Sequence, residues 1–207
     1  MLTRGIDVAI NYWIWDPCQG KTGGCSSIPF KSCYLLPPFG TFIVNVTGSA
    51  NNTLLITENC KVNDSLSDSL PVIYENGAYL IEMRLESDSI FWDRILLFEL
   101  DNAKNNFDNT DAEKFWNSKV NFYSISRDKK LLSVDARPVN NESTLPLGIQ
   151  TNQTGTFSIK IAKAVLPAFH SLRLHDRYLH KWMNLQEDSI YTFTITNDTY
   201  RKRQYPC

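Results

Sequence analysis

Apolar side chains recur at every second position through much of this chain, and no other feature of the sequence restricts its fold as strongly. In Tyr79–Glu86, apolar residues on odd positions alternate with charged residues from position 82 onward. The same alternation occurs in Thr41–Val46, Thr156–Ile161 and Tyr191–Thr196. A strand places successive side chains on opposite faces, so the pattern predicts half-buried strands of an antiparallel sheet.

Further strands are predicted where β-branched and aromatic residues cluster between turn dipeptides. These strands are Asn11–Trp15, Thr53–Thr57, Arg94–Leu100, Val120–Ile125, Leu131–Ala136 and Ser171–His175. The turn dipeptides are Asp16-Pro17, Pro37-Pro38, Asn76-Gly77, Arg127-Asp128 and Thr154-Gly155. Asn-Gly accepts positive φ at both central turn positions, so Asn76-Gly77 predicts a hairpin. We therefore expect an all-β fold, a jelly-roll-like antiparallel β-sandwich of roughly ten strands.

One segment interrupts the strand pattern. Thr110-Asp111-Ala112-Glu113 has the spacing of a capping box, with Thr110 as the N-cap residue and Glu113 reaching back to it. This spacing predicts a short helix near residues 110–117.

Length and charge limit the organisation of the chain. Its 207 residues suit one large β domain or two small ones. The polar run Lys61–Asp68 is the one candidate boundary, dividing a first sandwich at 1–62 from a second at 69–200, with a solvated tail at 201–207. A formal net charge of −1 leaves no electrostatic footprint for nucleic acid or an anionic membrane.

Export signals are missing from the sequence as given. No uncharged apolar stretch reaches the roughly 18–20 residues of a membrane-spanning helix, and the first residues lack the apolar region of a signal peptide. A cytosolic protein or a fragment of an exported one would both fit. We expect the fragment, with its export signal upstream.

The five cysteines are Cys18, Cys25, Cys33, Cys60 and Cys207. The spacings of the first three do not match zinc-site pairs, which usually lie two to four residues apart. A disulfide within Cys18–Cys33, or from it to Cys60, is one interpretation, and it requires an oxidising compartment. Free, half-buried thiols are the other, and the sequence does not decide between them.

No catalytic motif is present: the sequence has no nucleophile elbow, phosphate-binding glycine loop or zinc-binding helix. His170, His175 and His180 lie five residues apart, a spacing that scatters them on a helix or a strand, so no metal site is predicted there. We interpret His175–Arg177 as a turn that follows a strand. We therefore assign no catalytic, cofactor-binding or metal-binding residues and expect no enzyme.

One polar segment is rich in oxygen ligands of the kind that calcium prefers. Its members are Asp101, Asn102, Asn105, Asn106, Asp108, Asn109 and Asp111. Because Asn and Asp also favour turns by bonding their own backbone, a plain polar loop is the preferred interpretation and structural calcium the alternative.

Trp13 and Trp15 lie two residues apart in a predicted strand and therefore share a face. Exposed aromatic residues of this kind stack on sugar rings, whereas large aromatic residues in strands more often pack in a core. Core packing is the preferred interpretation.

Several of these motifs, taken in order, resemble β-sandwich modules of secreted and cell-surface proteins of Bacteroidetes. Tyr34–Val44 resembles the family's "I-P-P-x-Q-G-F-F-V" segment, and Leu145–Ile149 resembles its "I-P-L-G-F". The other matching stretches are Tyr12–Pro17, Ile95–Phe98 with Phe107–Ala112, Asn121–Ser126, and Leu172–Tyr178 with Tyr191–Phe193. The matches run from about residue 10 to residue 196.

The resemblance implies a module next to the C-terminal sorting domain of proteins exported by type IX secretion. Such a module would be a non-catalytic structural or adhesive part of a secreted or outer-membrane protein, or alternatively a carbohydrate-binding module beside a secreted enzyme. Its partners would be neighbouring domains of the same polypeptide and surface glycans. The chain departs from the pattern at Phe39, where the family has glutamine, in the cysteine-rich insert Cys18–Cys33, and at its end, Tyr200–Cys207.

Overall fold

The structure, a computed structural model, describes residues 2–5, 7–16, 23–29, 42–56, 79–88, 90–101, 103–138, 144–166, 171–185, 189–196 and 202–206. All the regular structure in these residues is β, so the predicted all-β class is confirmed. None of them forms a helix long and apolar enough to cross a membrane.

The described residues contain sixteen strands. They are Leu2–Arg4 (β1), Val8–Asp16 (β2), Gly24–Pro29 (β3), Phe42–Val46 (β4), Leu54–Ile56 (β5), Tyr79–Ser87 (β6), Trp92–Glu99 (β7), Ala112–Glu113 (β8), Val120–Ile125 (β9), Leu131–Arg137 (β10), Pro146–Thr151 (β11), Gly155–Val165 (β12), Leu172–Asp176 (β13), Lys181–Leu185 (β14), Ile190–Ile195 (β15) and Lys202–Pro206 (β16).

The largest sheet has nine strands, in the order β15-β12-β6-β7-β10-β9-β11-β16, with β8 paired to β10. Its pairs are antiparallel except β7 with β10, which run parallel, so the sheet is mixed and not purely antiparallel as predicted. β3, β2 and β4 form a three-stranded sheet, while β13 with β14 and β1 with β5 form two-stranded ones.

The alternation in the sequence corresponds to the two faces of the large sheet. In β15, for example, exposed and buried residues alternate strictly. The inner face and the β13–β14 hairpin together form the main core. This core contains Met83, Leu85, Ile95, Phe122, Phe157, Ile159, Ile161 and Phe193 from the sheet, and Leu174 and Leu185 from the hairpin.

One part of the outer face is also covered. Trp13 of β2 packs against Leu80 and Leu96 of the large sheet in a second core. The Nδ2 group of Asn11 in the same strand donates a hydrogen bond to the backbone oxygen of Asp111, 3.2 Å away. The three-stranded sheet therefore lies against part of the outer face of the large sheet.

The predicted helix near residues 110–117 is wrong. Residues 112–113 form β8, and the backbone nitrogen of Lys114 donates to the oxygen of Leu131 at 2.8 Å. The Glu113 carboxylate binds Lys130 Nζ at 2.8 Å instead of reaching back to Thr110. Pairing with β10 supplies long-range partners to backbone groups of this segment, and the local capping signal is overridden.

Two boundaries also differ from the predictions. Residues 202–206, expected as part of a tail, form β16 in antiparallel register with β11. β13 extends through Asp176, so the turn comprises residues 177–180 and does not begin at His175. Pro37-Pro38, Asn76-Gly77 and the candidate boundary Lys61–Asp68 lie outside the described residues, and the division into two sandwiches stays a prediction.

Candidate functional site

The two tryptophans of β2 have different environments. Trp13 is buried, as predicted, and its ring centroid lies 5.5 Å from that of Phe115. Trp15 is 56% exposed, so the prediction of core packing is wrong for this residue. A Cβ atom placed on Gly23 would lie 2.5 Å from the Trp15 ring, so the indole lies directly over this glycine. Only Trp15 of the pair is accessible to a ligand.

The two described histidines, His175 and His180, are not brought together as ligands. His175 lies on β13 and stacks on Trp182 of β14, whereas His180 lies in the turn with a φ of 52°. His170 lies outside the described residues. Among the residues that are described, no group of three or more His, Cys, Asp or Glu side chains is arranged to hold a metal ion.

Several oxygens of the segment between residues 101 and 111 accept hydrogen bonds from the protein itself. Asp108 Oδ1 accepts hydrogen bonds from the backbone nitrogen and the hydroxyl of Thr110. The backbone oxygen of Asn105 accepts from the Arg127 amide and from the Arg137 guanidinium. These oxygens serve the loop itself, as in the polar-loop interpretation; Asn102 lies outside the described residues.

Of the five cysteines only Cys25 is described, and its thiol is free and half-buried. It faces Trp15 across the β2–β3 pair, and its backbone nitrogen donates to Asn117 Oδ1 at 2.9 Å. Burial raises the pKa of this thiol, and the Lys114 ammonium acts in the opposite direction. Cys18, Cys33, Cys60 and Cys207 lie outside the described residues, so their pairing stays open.

A buried ion pair joins Asp93 of β7 to Lys114, which follows β8. The Lys114 ammonium lies 2.7 Å from Asp93 Oδ2, and both side chains are 2% exposed. The same carboxylate accepts hydrogen bonds from the backbone nitrogens of Phe122, at 2.7 Å, and Arg94, at 2.9 Å. Burial raises the pKa of Asp93, while Lys114 and the two amide donors oppose this. The pair therefore connects β7, β9 and the segment after β8.

Asp111 is the second buried carboxylate. Its two oxygens accept hydrogen bonds from the backbone nitrogens of Ala136, at 2.8 Å, and Asp108, at 2.9 Å. Burial raises the pKa of Asp111 to about 7, and the negative charges of Asp135 and Asp108 act in the same direction. Its role in the structure is to hold the polar loop against β10.

Asp176, at the end of β13, is the third and is fully buried. Its Oδ1 accepts from the backbone nitrogens of Tyr178 and Leu179, at 2.8 and 2.9 Å, and its Oδ2 accepts from the Tyr191 hydroxyl at 2.6 Å. These three carboxylates thus bind backbone amides of the fold. Asp135, the fourth buried carboxylate among the described residues, binds the Arg137 guanidinium.

Polar side chains cover the open part of the large sheet's outer face. We call this the open sheet face; it comprises Arg84, Glu86, Trp92, Ser158, Lys160, Ile190 and Thr192. The strand register places Lys160 between Arg84 and Ile190 in one row, and Ser158 between Glu86 and Thr192 in the next. Four neighbouring strands therefore contribute to one flat surface.

Ionic and aromatic contacts organise this surface. The Arg84 guanidinium lies 4.7 Å from the centroid of the Trp92 ring, and Lys160 forms an ion pair with Glu86. Arg84, Glu86, Lys160 and Ile190 line a shallow depression of about 360 Å³. Such an array offers hydrogen-bond donors and acceptors to a polar ligand, in the manner of a binding surface.

Sequence reasoning missed the Asp93–Lys114 pair and the open sheet face. The sequence did indicate a partner for Asp93, because a carboxylate within the apolar run Ile90–Phe98 is costly to bury unless it is paired. Nothing in the sequence indicated Lys114 as that partner, because Lys114 was assigned to the predicted helix. The open sheet face consists of ordinary polar positions on alternating strands, and only the strand order brings them together.

Comparison with known proteins gives a family without an assigned activity. Residues 81–205, more than half of the chain, match the model of a family described as a domain of unknown function, DUF8693. The match begins within β6 and ends within β16, so it includes almost all of the large sheet and the β13–β14 hairpin. No curated protein and no solved structure gives a significant match. The chain therefore belongs to the DUF8693 family of domains of unknown function.

Proposed function

We propose that this chain is a non-catalytic structural and adhesive β-sandwich module of a large exported bacterial surface protein. The observation that carries the proposal is that the four buried carboxylates of the described residues all bind groups of the fold. Asp93, Asp111 and Asp176 bind backbone amides, and Asp135 binds the Arg137 guanidinium. Catalytic carboxyl groups instead face a cleft in which a substrate binds. The resemblance to surface modules of Bacteroidetes, whose motifs occur in the same order, supports a location at the cell surface.

Localisation on intact cells tests this proposal. An antibody raised against the purified chain should label intact cells of the source organism, and the parent gene should encode an export signal upstream of this segment. Labelling that appears only after the cells are permeabilised would refute an exported surface module.

Carbohydrate binding is the second candidate, and the open sheet face is the observation that favours it. Flat sheet faces with an aromatic residue and several hydrogen-bonding groups suit sugar rings, which have apolar faces and polar edges. Trp13 is excluded as the stacking residue because it is buried. Lys160, Glu86 and Thr192 would then contact the ligand.

A glycan array with variants of this face tests the second candidate. Lys160→Ala and Thr192→Ala should remove binding of a neutral glycan without a change in the thermal unfolding midpoint. Lys104→Ala, at an exposed loop position, is the matched control and should bind as the unaltered chain does. The candidate fails if no glycan binds, or if the control loses binding to the same extent.

A further inference from the structure

The β13–β14 hairpin has one face in the core and one in solvent. Leu174 and Leu185 belong to the main core. The register pairs Arg173 with Asn184 and His175 with Trp182, so these four side chains share the opposite face. The hairpin therefore presents a separate outward surface, away from the open sheet face.

This outward surface carries positive charge. Arg173 and Arg177 are both exposed. Lys181 is exposed as well, but the register pairs it with the buried Asp176, so it lies on the face of β14 opposite to Trp182. Asp176 is the one acidic residue in the sequence between positions 171 and 185, and it is fully buried with both oxygens bonded to the fold. The hairpin itself thus supplies three exposed permanent cations and no exposed acid, although the whole chain has a net charge of −1.

An aromatic ring lies beside Arg173. Trp182 is 61% exposed, one of the largest exposed fractions of an apolar side chain in the described residues. Its ring is stacked on the imidazole of His175 with centroids 4.0 Å apart and planes 3° from parallel. The Arg173 guanidinium lies 5.3 Å from the same ring. We call Arg173, Arg177 and Trp182 the basic hairpin face.

The fold holds the backbone of the hairpin turn beside the basic hairpin face. Asp176 binds the backbone of the turn at Tyr178 and Leu179, and the Tyr191 hydroxyl ties this carboxyl group to β15 of the large sheet. A preorganised surface loses less conformational entropy on binding than a mobile loop would.

We propose that the basic hairpin face binds an anionic polysaccharide. Carboxylate or sulfate groups of the polymer pair with Arg173 and Arg177, and a sugar ring contacts the exposed indole of Trp182. This inference specifies the adhesive contact of the proposed function and rests on it.

The distribution of the groups favours a polymer over a lipid membrane. Arg173 and Trp182 lie in the strands, on either side of the turn, and Arg173 is four residues from Arg177. Arg173 lies near the start of β13, whereas Arg177 lies in the turn that follows it. A membrane that contacts only the turn does not reach Arg173, whereas a polymer that lies along the hairpin meets both arginines and Trp182.

Binding of the purified chain to defined polymers tests the proposal. The probes are polygalacturonate, which carries carboxylates, dextran sulfate, which carries sulfates, neutral dextran, and vesicles of phosphatidylglycerol and phosphatidylcholine. We expect affinity for one or both anionic polymers, none for neutral dextran, and an affinity that falls as salt is added.

Variants locate the site. The double variant Arg173→Gln/Arg177→Gln should raise the dissociation constant on the order of fivefold, and Trp182→Ala should weaken binding with an unchanged unfolding midpoint. The control Lys104→Gln/Arg127→Gln changes the net charge equally at exposed loop positions, and it should leave the affinity within roughly twofold of the original.

Four results would overturn the inference: no binding to either anionic polymer, binding to vesicles alone, equal losses in the hairpin and control variants, or a loss in Lys160→Ala that exceeds the loss in the hairpin variant. The first of these, combined with surface labelling of intact cells, would reject the basic hairpin face and leave the proposed function standing. Polymer binding without surface labelling would reject the proposed function and leave the binding role of the basic hairpin face standing.

Discussion

Replacement of Lys114 by methionine gives the most informative test of how this fold is held together. The change keeps an unbranched side chain, one atom shorter, and removes its charge, so Asp93 is left buried with two amide donors and no cation. Loss of one partner from a buried ion pair costs about 3–5 kcal/mol, out of a total of roughly 5–15 kcal/mol for a typical domain. For a chain of this size we expect the unfolding midpoint to fall by roughly 6–20 °C.

The loss of unfolding free energy caused by Lys114→Met should depend on pH. Burial already raises the pKa of Asp93, and removal of the Lys114 charge raises it further. The folded variant then keeps a proton that the unfolded chain releases above about pH 4, so its unfolding free energy falls as the pH rises. The difference from the unaltered protein is therefore largest near neutral pH and shrinks toward about pH 4.

Urea unfolding followed by circular dichroism, at a series of pH values from about 4 to about 7, measures both effects. Lys130→Met is the matched control, because Lys130 lies 2.8 Å from Glu113 in an ion pair whose side chains are 52% and 44% exposed. This control should change stability little. The reasoning is refuted if the two variants lose equal stability, or if the cost of Lys114→Met is the same at every pH.

Three further predictions concern other buried contacts. Because burial raises the pKa of Asp111 to about 7, the folded state binds a proton more tightly than the unfolded chain, so stability should fall from about pH 4 to about pH 7. In urea titrations, Asp111→Asn should reduce that slope, and an unchanged slope would contradict the assignment. Tyr191→Phe deprives the buried Asp176 of a hydrogen-bond donor and should lower the free energy of unfolding, measured by thermal unfolding, by about 1–3 kcal/mol. An unchanged stability would show that this hydrogen bond does not stabilise the fold. Gly148→Ala places a methyl group 2.2 Å from the ring of Tyr123, so we expect a loss of about 1–3 kcal/mol and an altered near-ultraviolet dichroism spectrum; an unchanged spectrum would show that the ring does not lie over this glycine.

The strands were the most predictable part of the molecule. Val120–Ile125 was predicted with the bounds that β9 has, and the alternation of Tyr191–Thr196 corresponds to the buried and exposed positions of β15. Short strands without clear alternation, such as Gly24–Pro29 and Lys202–Pro206, were missed. The backbone of β3 is ordered by pairing with β2, and that of β16 by pairing with β11, which is distant from it in sequence.

The candidate surfaces were less predictable than the strands. Both the open sheet face and the basic hairpin face combine ordinary residues, and no local motif distinguishes Lys160 or Arg173 from other exposed cations. What distinguishes them is the set of side chains that the strand order places beside them. Pair contacts across strands depend on register, and register is a property of the assembled sheet.

The sequence by itself determined the all-β class, because a side-chain period of two is a local property that each strand carries with it. The tertiary structure alone decided what lies against each strand. It buries Trp13 while Trp15 on the same strand is exposed, and it turns the expected helix at residues 110–117 into β8 and a loop with a buried lysine. The physical reason is that burial and ion pairing depend on neighbours supplied from elsewhere in the chain, and for Lys114 that neighbour is Asp93, a residue of another strand.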